Sequence, residues 1–238
     1  MDYTIVTVSN RIPTQDYYCF DEWWKSVDGY NPLIIQRFDT NYQGLGDKPK
    51  FVYRAIKNEV IKTKYIIFCD SWDLVFATTP EEIIKKYLEF DADIVISAEK
   101  NCFPDTQKKE YDELNATSSY KYLNSGFIVG TTEAFLKVLE AMKLNDVPDD
   151  YWDGAKMVHI NDQELYQQIF LKQPVKMVLD YNQILCNTLH SVKLEELDFT
   201  EARIKNIETG TYPCSFHMNG SAKTDGLRNP ILSHLKLL

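Results

Sequence analysis

A chain of 238 residues with 44% hydrophobic side chains can bury one continuous core, and nine glycines and nine prolines are too few for a fibrous or disordered polypeptide. Its formal net charge of −9 works against tight, sequence-independent binding to nucleic acid, which draws its affinity from lysines and arginines neutralising phosphates. There is no apolar run of roughly eighteen or more residues to span a membrane. The N-terminal MDYTIVTVSN lacks a charged region and a small-residue cleavage site, so a cytoplasmic location is expected. Five scattered cysteines without a CxxC pair describe buried or incidental thiols, and the sequons at Asn115 and Asn219 read as chance matches.

The first apolar run, Tyr3–Val8, is largely β-branched, as expected of a strand buried on both faces. Polar Ser9, Asn10 and Arg11 follow, then a helix from about Gln15 to Val27. Gly29 and Pro32 punctuate a second strand, Pro32–Phe38, and a glycine-containing loop covers Asp39–Pro49. Residues Lys50–Lys62 place Phe51, Ala55, Ile56 and Val60 on one helical face. Tyr65–Cys69 is the most strand-like segment of the chain, and it runs straight into Asp70, Ser71, Trp72 and Asp73 before the apolar pattern resumes at Leu74–Ala77. Thr79 as cap, Pro80 in the first position and Glu81 and Glu82 in the first turn open the next helix.

A strand at Ile94–Ala98 ends in Glu99, with a loop expected through Leu114. Tyr122–Gly130 reads as a strand interrupted by glycine, and Thr132–Met142 as a helix. Helical spacing returns at Asn161–Leu171, followed by a short strand at Val175–Leu179. Asn182–Asn187 fits strand or turn, and Ile204–Ile207 and Cys214–His217 fit short strands. Strand and helix alternate, then become irregular. That pattern predicts an α/β fold with a mixed second half, organised as a single domain over 1–238.

In open α/β sheets ligands lie beyond the carboxyl ends of the strands, and Asp70 and Asp73 stand at one such end. Two carboxylates three residues apart at the end of a buried strand invite a cation, and hard oxygen ligands suit Mg²⁺ or Mn²⁺. On spacing alone the commoner arrangement is a turn capped by Asp70 with Asp73 in solvent, since short acidic pairs are frequent. By the same strand-end rule, Thr7 and Ser9 are expected beside a bound ligand.

Six segments favour the cation. CDSWDLVFATTPEEIIKKY, VISAEKNCFPD, YLNSGFIVG, INDQELYQQIFL, LDYNQILCNTL and FHMNGSAK together resemble, in the same order, the glycosyltransferase domain of procollagen lysyl hydroxylases and its small stand-alone relatives. The resemblance implies a GT-A-like, Rossmann-type mixed sheet, mainly parallel and flanked by helices, with a donor-binding half over about 1–100 and an acceptor half over about 101–238. It implies a metal-dependent transfer of glucose or galactose from a UDP-sugar to a hydroxyl acceptor. Asp70, Asp73 and His217 fall on the metal ligands, Ser71 and Trp72 on residues lying against the nucleotide, and Lys223 on a lysine suited to the diphosphate. Asn219 and Gly220 fall on the segment following the ligand histidine, whose first glycine is Met218 here. A nitrogen ligand added to two carboxylates favours Mn²⁺ over Mg²⁺.

By the same resemblance Asn124 bonds a sugar hydroxyl and Gly126 permits close approach of backbone to ligand, the structural alternative being a strand bulge. Asp162 is the candidate for contact with the transferred sugar or the acceptor. Its neighbour Asn161 stands where the family carries an acid, and capping of the following helix is the alternative role for both. The loop from Tyr42 to Lys50 resembles a glycine-rich loop over the nucleotide, with Tyr42 stacking on uracil and Lys50 reaching the donor. Lysyl hydroxylation, which needs an iron and 2-oxoglutarate domain, is not expected of so short a chain. Two other functions compete: a nucleotide- or carbohydrate-binding module without catalysis, and a transferase acting on modified DNA bases rather than on protein or glycan. The oligomeric state is not legible.

Overall fold

The computed structural model describes residues 1–9, 18–36, 44–146, 150–152, 154–223 and 226–238. In chain order the elements are β1 (Tyr3–Ser9), α1 (Phe20–Ser26), β2 (Leu33–Gln36), α2 (Asp47–Lys57), β3 (Tyr65–Cys69), β4 (Leu74–Phe76), α3 (Pro80–Tyr87) and β5 (Ile94–Glu99). Then come α4 (Lys108–Asp112), β6 (Tyr122–Thr131), α5 (Thr132–Ala141), the small pair β7 (Tyr151–Trp152) and β8 (Met157–Val158), α6 (Asp162–Lys172) and β9 (Met177–Asp180). The chain closes with β10 (Cys186–Thr188), β11 (Leu197–Asp198), β12 (Lys205–Asn206), β13 (Ser215–His217) and α7 (Arg228–His234).

Six strands form the central sheet in the order β2-β1-β3-β6-β5-β9. Every neighbouring pair is parallel except the two made by β6, which runs antiparallel to both β3 and β5. The period of two along each strand sorts the apolar side chains into two cores. Val6, Ile66, Ile96 and Ile128 join Val52 of α2, Phe135 and Val138 of α5 and Tyr166 of α6 on one face. Ile5, Ile67, Val95 and Val129 join Trp23 of α1 and Ile83 and Ile84 of α3 on the other. The near-continuous apolar runs in these strands thus reflect a sheet covered on both sides. A second, three-stranded sheet, β10-β13-β4, has β13 parallel to β10 and antiparallel to β4.

The helix at Pro80 starts as its residues require: Glu82 N–H donates to Thr79 Oγ1 at 3.3 Å, a cap of the kind that contributes about 1 kcal/mol. The second helix departs from expectation. It starts at Asp47, because Pro49 is tolerated in a first turn, and stops at Lys57. Glu59 then takes a left-handed φ of 56°, and Val60, expected on the buried face, is 60% exposed. The expected loop before Leu114 contains α4, and α7 lies beyond any element expected from the sequence. Arg228 at the start of α7 donates to Tyr18 O at 3.2 Å and to Glu22 Oε1 at 2.7 Å, tying this end of the chain to the start of α1. No described helix is long and apolar enough to cross a membrane.

One irregularity positions the site. Between the pairs Ile96–Ile128 and Ala98–Leu123, β6 advances through residues 124–127 while β5 advances through Ser97 alone. Asn124, Ser125 and Gly126 are therefore a bulge on β6. The structural alternative is thus what the register shows, and the bulge presses this backbone against the side chain of His217.

Candidate active site

Four element ends and the β6 bulge meet at one rim of the central sheet: β1 at Ser9, β3 at Asp70, β5 at Glu99 and the N-terminus of α6 at Asp162. Strand β13 brings His217 to the same place from the second sheet. Together they line a cavity of about 580 Å³. The acidic turn is fastened by its backbone: Asp70 N–H donates to Gly126 O at 2.8 Å, and Met218 N–H donates to Asp73 O at 2.6 Å. The second of these bonds brings the end of β13 against the turn after β3.

One ligand atom each from Asp70, Asp73 and His217 can be chosen so that all three lie within 4.8 Å of one another. His217 Nε2 is 3.3 Å from Asp73 Oδ1. Its Nδ1 is 3.1 Å from Asn124 Oδ1, and Asn124 Nδ2 donates to Glu99 Oε1 at 3.1 Å, which fixes the amide's orientation. An Nδ1–H donating to Asn124 leaves the Nε2 lone pair on the Asp73 side, as a metal-ligating imidazole requires. Gly126 makes room for this ring, since a Cβ there would lie 2.1 Å from His217 Cε1.

Burial raises the Asp70 carboxyl above the usual carboxylate range. Lys48 draws it back down, Asp73 adds to the rise, His217 lowers it, and Asp162 raises it again. Lys48, in the first turn of α2, donates to Asp70 Oδ1 at 2.8 Å and lies 3.4 Å from Asp162 Oδ2. Ser125 Oγ donates to the same Asp162 oxygen at 3.2 Å. Within the acidic turn itself, Trp72 Nε1 donates to Ser9 Oγ at 3.0 Å, and Tyr18 meets the Trp72 ring edge-on with centroids 5.1 Å apart. Ser71 is buried, and its hydroxyl has no hydrogen-bond partner among the described residues, although it lines the cavity. An orphaned buried hydroxyl beside a trio of hard and borderline donors fits a site built for an anionic ligand together with a divalent ion.

Residues 35–229 match the family model of the PLOD GT domain. The chain belongs to this glycosyltransferase-domain family. It is 27% identical over 185 residues to multifunctional procollagen lysine hydroxylase and glycosyltransferase LH3 of Rattus norvegicus, covering 76% of this chain and 24% of that protein. It is 30% identical over 217 residues to procollagen-lysine,2-oxoglutarate 5-dioxygenase of Drosophila melanogaster, covering 86% of this chain and 26% of the other. The match thus spans about a quarter of the length of these relatives. A 33% identity over 163 residues links it to an uncharacterised protein of Acanthamoeba polyphaga mimivirus, covering 67% of this chain and 32% of that one. A glycosyltransferase involved in glycosylation of the major capsid of PBCV-1 shares the fold, with TM-score 0.55 at 14% identity over 99% of this chain and 100% of the other.

Within this PLOD GT chain the predicted residues separate. Ser9, Ser71 and Trp72 line the cavity together, as do Asp70, Asp73 and His217. Asn124, Asn161, Asp162, Asn219 and Gly220 line it as well. Asn161 also caps α6, accepting from Gln163 N–H at 2.9 Å. Thr7 is fully buried and does not line the cavity, because it lies two residues short of the strand end. Lys50 does not line it either. The helix starts at Asp47, so Lys48 faces the acids, while Lys50 Nζ lies 3.7 Å from Asp47. Tyr42 lies outside the described residues, as does the side chain of Lys223, whose backbone belongs to the short 3₁₀ segment Gly220–Lys223.

Sequence reasoning missed Lys48, Glu99, Gln163 and His190, all of which line the cavity. Glu99 carried a usable signal: it is an acid at the end of an apolar strand, just as Asp70 is.

Proposed function

We propose that this protein transfers a hexose, glucose or galactose, from a UDP-sugar to a hydroxyl acceptor, with Mn²⁺ or Mg²⁺ held by Asp70, Asp73 and His217. The convergence of these three side chains on one point of the cavity, from segments far apart in the chain, carries the reading. Family membership and the shared fold support transfer of a sugar; the donor, the metal and the hexose are inferred from the residues present. A divalent ion bound there would supply Lewis-acid stabilisation of the departing diphosphate.

The chain's own residues divide the remaining work. The Trp72 and Ser9 wall receives the nucleoside, and the buried Ser71 hydroxyl bonds it. Lys48 offsets negative charge beside Asp70 and Asp162. Asn124 offers its amide to a sugar hydroxyl, and Asp162, held by Ser125 and Lys48, orients the incoming acceptor hydroxyl toward the anomeric carbon. The acceptor belongs to a protein, a glycan or a modified DNA base, and the net charge of −9 disfavours the last of these.

A second reading, a nucleotide- or sugar-binding module without turnover, draws support from Asn161, whose side-chain oxygen is engaged in capping α6 where an acid stands in the family pattern. Release of UDP from UDP-glucose and UDP-galactose in Mn²⁺ separates the two. We expect turnover in the wild type, a fall of at least about a hundredfold in Asp73→Ala with the circular dichroism spectrum unchanged, and loss of activity in EDTA. Undiminished turnover in EDTA defeats the metal-dependent reading, and Mn²⁺-dependent UDP binding without turnover on any acceptor favours the module.

A further inference from the structure

The cavity has a second polar pole beyond the metal-ligand group. Glu99 is buried at the end of β5, yet both its oxygens accept: Oε1 from Asn124 Nδ2 at 3.1 Å and Gln163 Nε2 at 2.8 Å, and Oε2 from Asn219 Nδ2 at 2.9 Å. His190 Nδ1 faces the same Oε2 at 4.0 Å. The backbone N–H of His190 donates to Asn219 Oδ1 at 3.0 Å. Its ring fills the space a side chain at position 220 would need, since a Cβ on Gly220, whose φ is +57°, would come within 2.6 Å of the ring. The His190 side chain keeps 34% of its surface exposed, and it lines the cavity. This is an imidazole seated by a glycine, a buried carboxylate and an amide, with one side open to the cavity.

The sheet order places this pole relative to the proposed donor. Ser9, Asp70, the Asn124 bulge and Glu99 succeed one another across the rim as β1, β3, β6 and β5. Three strand spacings separate the nucleoside wall from Glu99, about 14 Å, which leaves room for base, ribose and diphosphate before a sugar ring arrives. The single side chain of Asn124 bridges His217 and Glu99 by hydrogen bonds, so the group attached to a diphosphate at the metal-ligand trio lies next to Glu99 and His190. An imidazole can donate to or accept from a hydroxyl, and glucose and galactose differ in the orientation of one hydroxyl. A site built to bond that hydroxyl discriminates between them.

We propose that His190, seated by Gly220 and Glu99, is a specificity-determining residue that hydrogen-bonds a ring hydroxyl of the hexose carried by the donor. The inference rests on the UDP-hexose reading above. Calorimetry in Mn²⁺ with UDP, UDP-glucose and UDP-galactose tests it on wild type, His190→Ala, His190→Asn and Gly220→Ala. We expect His190→Ala to bind UDP as the wild type does, which also reports an intact fold. Its preferred UDP-hexose should bind about fivefold to tenfold more weakly, so that discrimination between the two epimers shrinks. His190→Asn should recover part of the loss, and Gly220→Ala, which displaces the ring, should reproduce it. Unchanged UDP-hexose affinity in His190→Ala overturns the inference and leaves the donor reading standing, whereas an equal loss for UDP alone shows a merely structural role and also overturns it. Wild-type protein that binds UDP but gains nothing from the hexose overturns it as well. Failure of the wild type to bind any of the three ligands removes the donor reading and this inference together.

Discussion

Asp180 shows how a single carboxylate shapes this fold without touching the cavity. It is buried at the end of β9 and accepts from three consecutive backbone donors: Ile184 N–H at 2.8 Å, Leu185 N–H at 2.7 Å and Cys186 N–H at 3.2 Å. These bonds set the turn that carries the chain into β10, and through β10 they support β13 and His217. Burial nevertheless outweighs the three donors and pushes its pKa up to about 6 from an ordinary 3.8. A folded-state pKa above the unfolded one means that the stability contribution is complete below about 3.8 and fades as pH rises through about 6. Asp180→Asn removes this titration, at a constant cost from placing an amide N–H₂ against a backbone donor. The difference in urea unfolding free energy between wild type and variant should therefore shift in the variant's favour from pH 4 to pH 6.5, by on the order of 3 kcal/mol at most. A difference that stays flat over that interval would show that Asp180 titrates normally.

At the scale of elements, the β6 bulge decides whether the site can form. Inserting residues 124–127 opposite Ser97 gives up ladder pairing on one side of β6 while keeping Cys69 paired with Phe127 on the other. In exchange the bulge delivers Asn124 to His217 and leaves a Cβ-free backbone beneath the imidazole. Gly126→Ala would set a methyl 2.1 Å from His217 Cε1, so the ring, not the strand, has to move. We expect this variant to fold and to lose about tenfold to a hundredfold in Mn²⁺ affinity, as second-layer changes at metal sites do. Electron paramagnetic resonance of free Mn²⁺ reads this directly, and wild-type affinity in Gly126→Ala would contradict the assigned role of His217.

For the whole molecule, the consequence is linkage between binding and stability. Asp70 and Asp73 belong to the turn between β3 of the central sheet and β4 of the smaller one, and His217 belongs to β13 of the smaller sheet. An ion held by all three would bind the native arrangement and not the unfolded chain. At a hundred times its dissociation constant it would stabilise by about 2.7 kcal/mol. For a chain of this size that corresponds to a rise in Tm of roughly 5–10 °C. Differential scanning fluorimetry should show the rise with Mn²⁺, its reversal by EDTA and its absence in Asp73→Ala. An equal rise in that variant would place the ion elsewhere.

What the amino-acid order by itself determined is what depends on neighbours along the chain. The buried strands at Tyr3 and Tyr65 showed in their apolar runs, the helix at Pro80 in its cap and first turn, and Asp70 and Asp73 as a strand-end pair. The resemblance added His217, which no local pattern near Phe216 marks. Tertiary structure alone decided the rest. Lys48 replaced Lys50 because the helix start, set by turns around Gly44 and Gly46, fixes which lysine faces the acids. Thr7 fell out of the cavity because it shares a face with Ser9 but lies two residues further back from the rim. Glu99, Gln163 and His190 gained their meaning only when β5, α6 and the segment after β10 met around one carboxylate, since contacts between residues so far apart leave no periodic trace in the sequence.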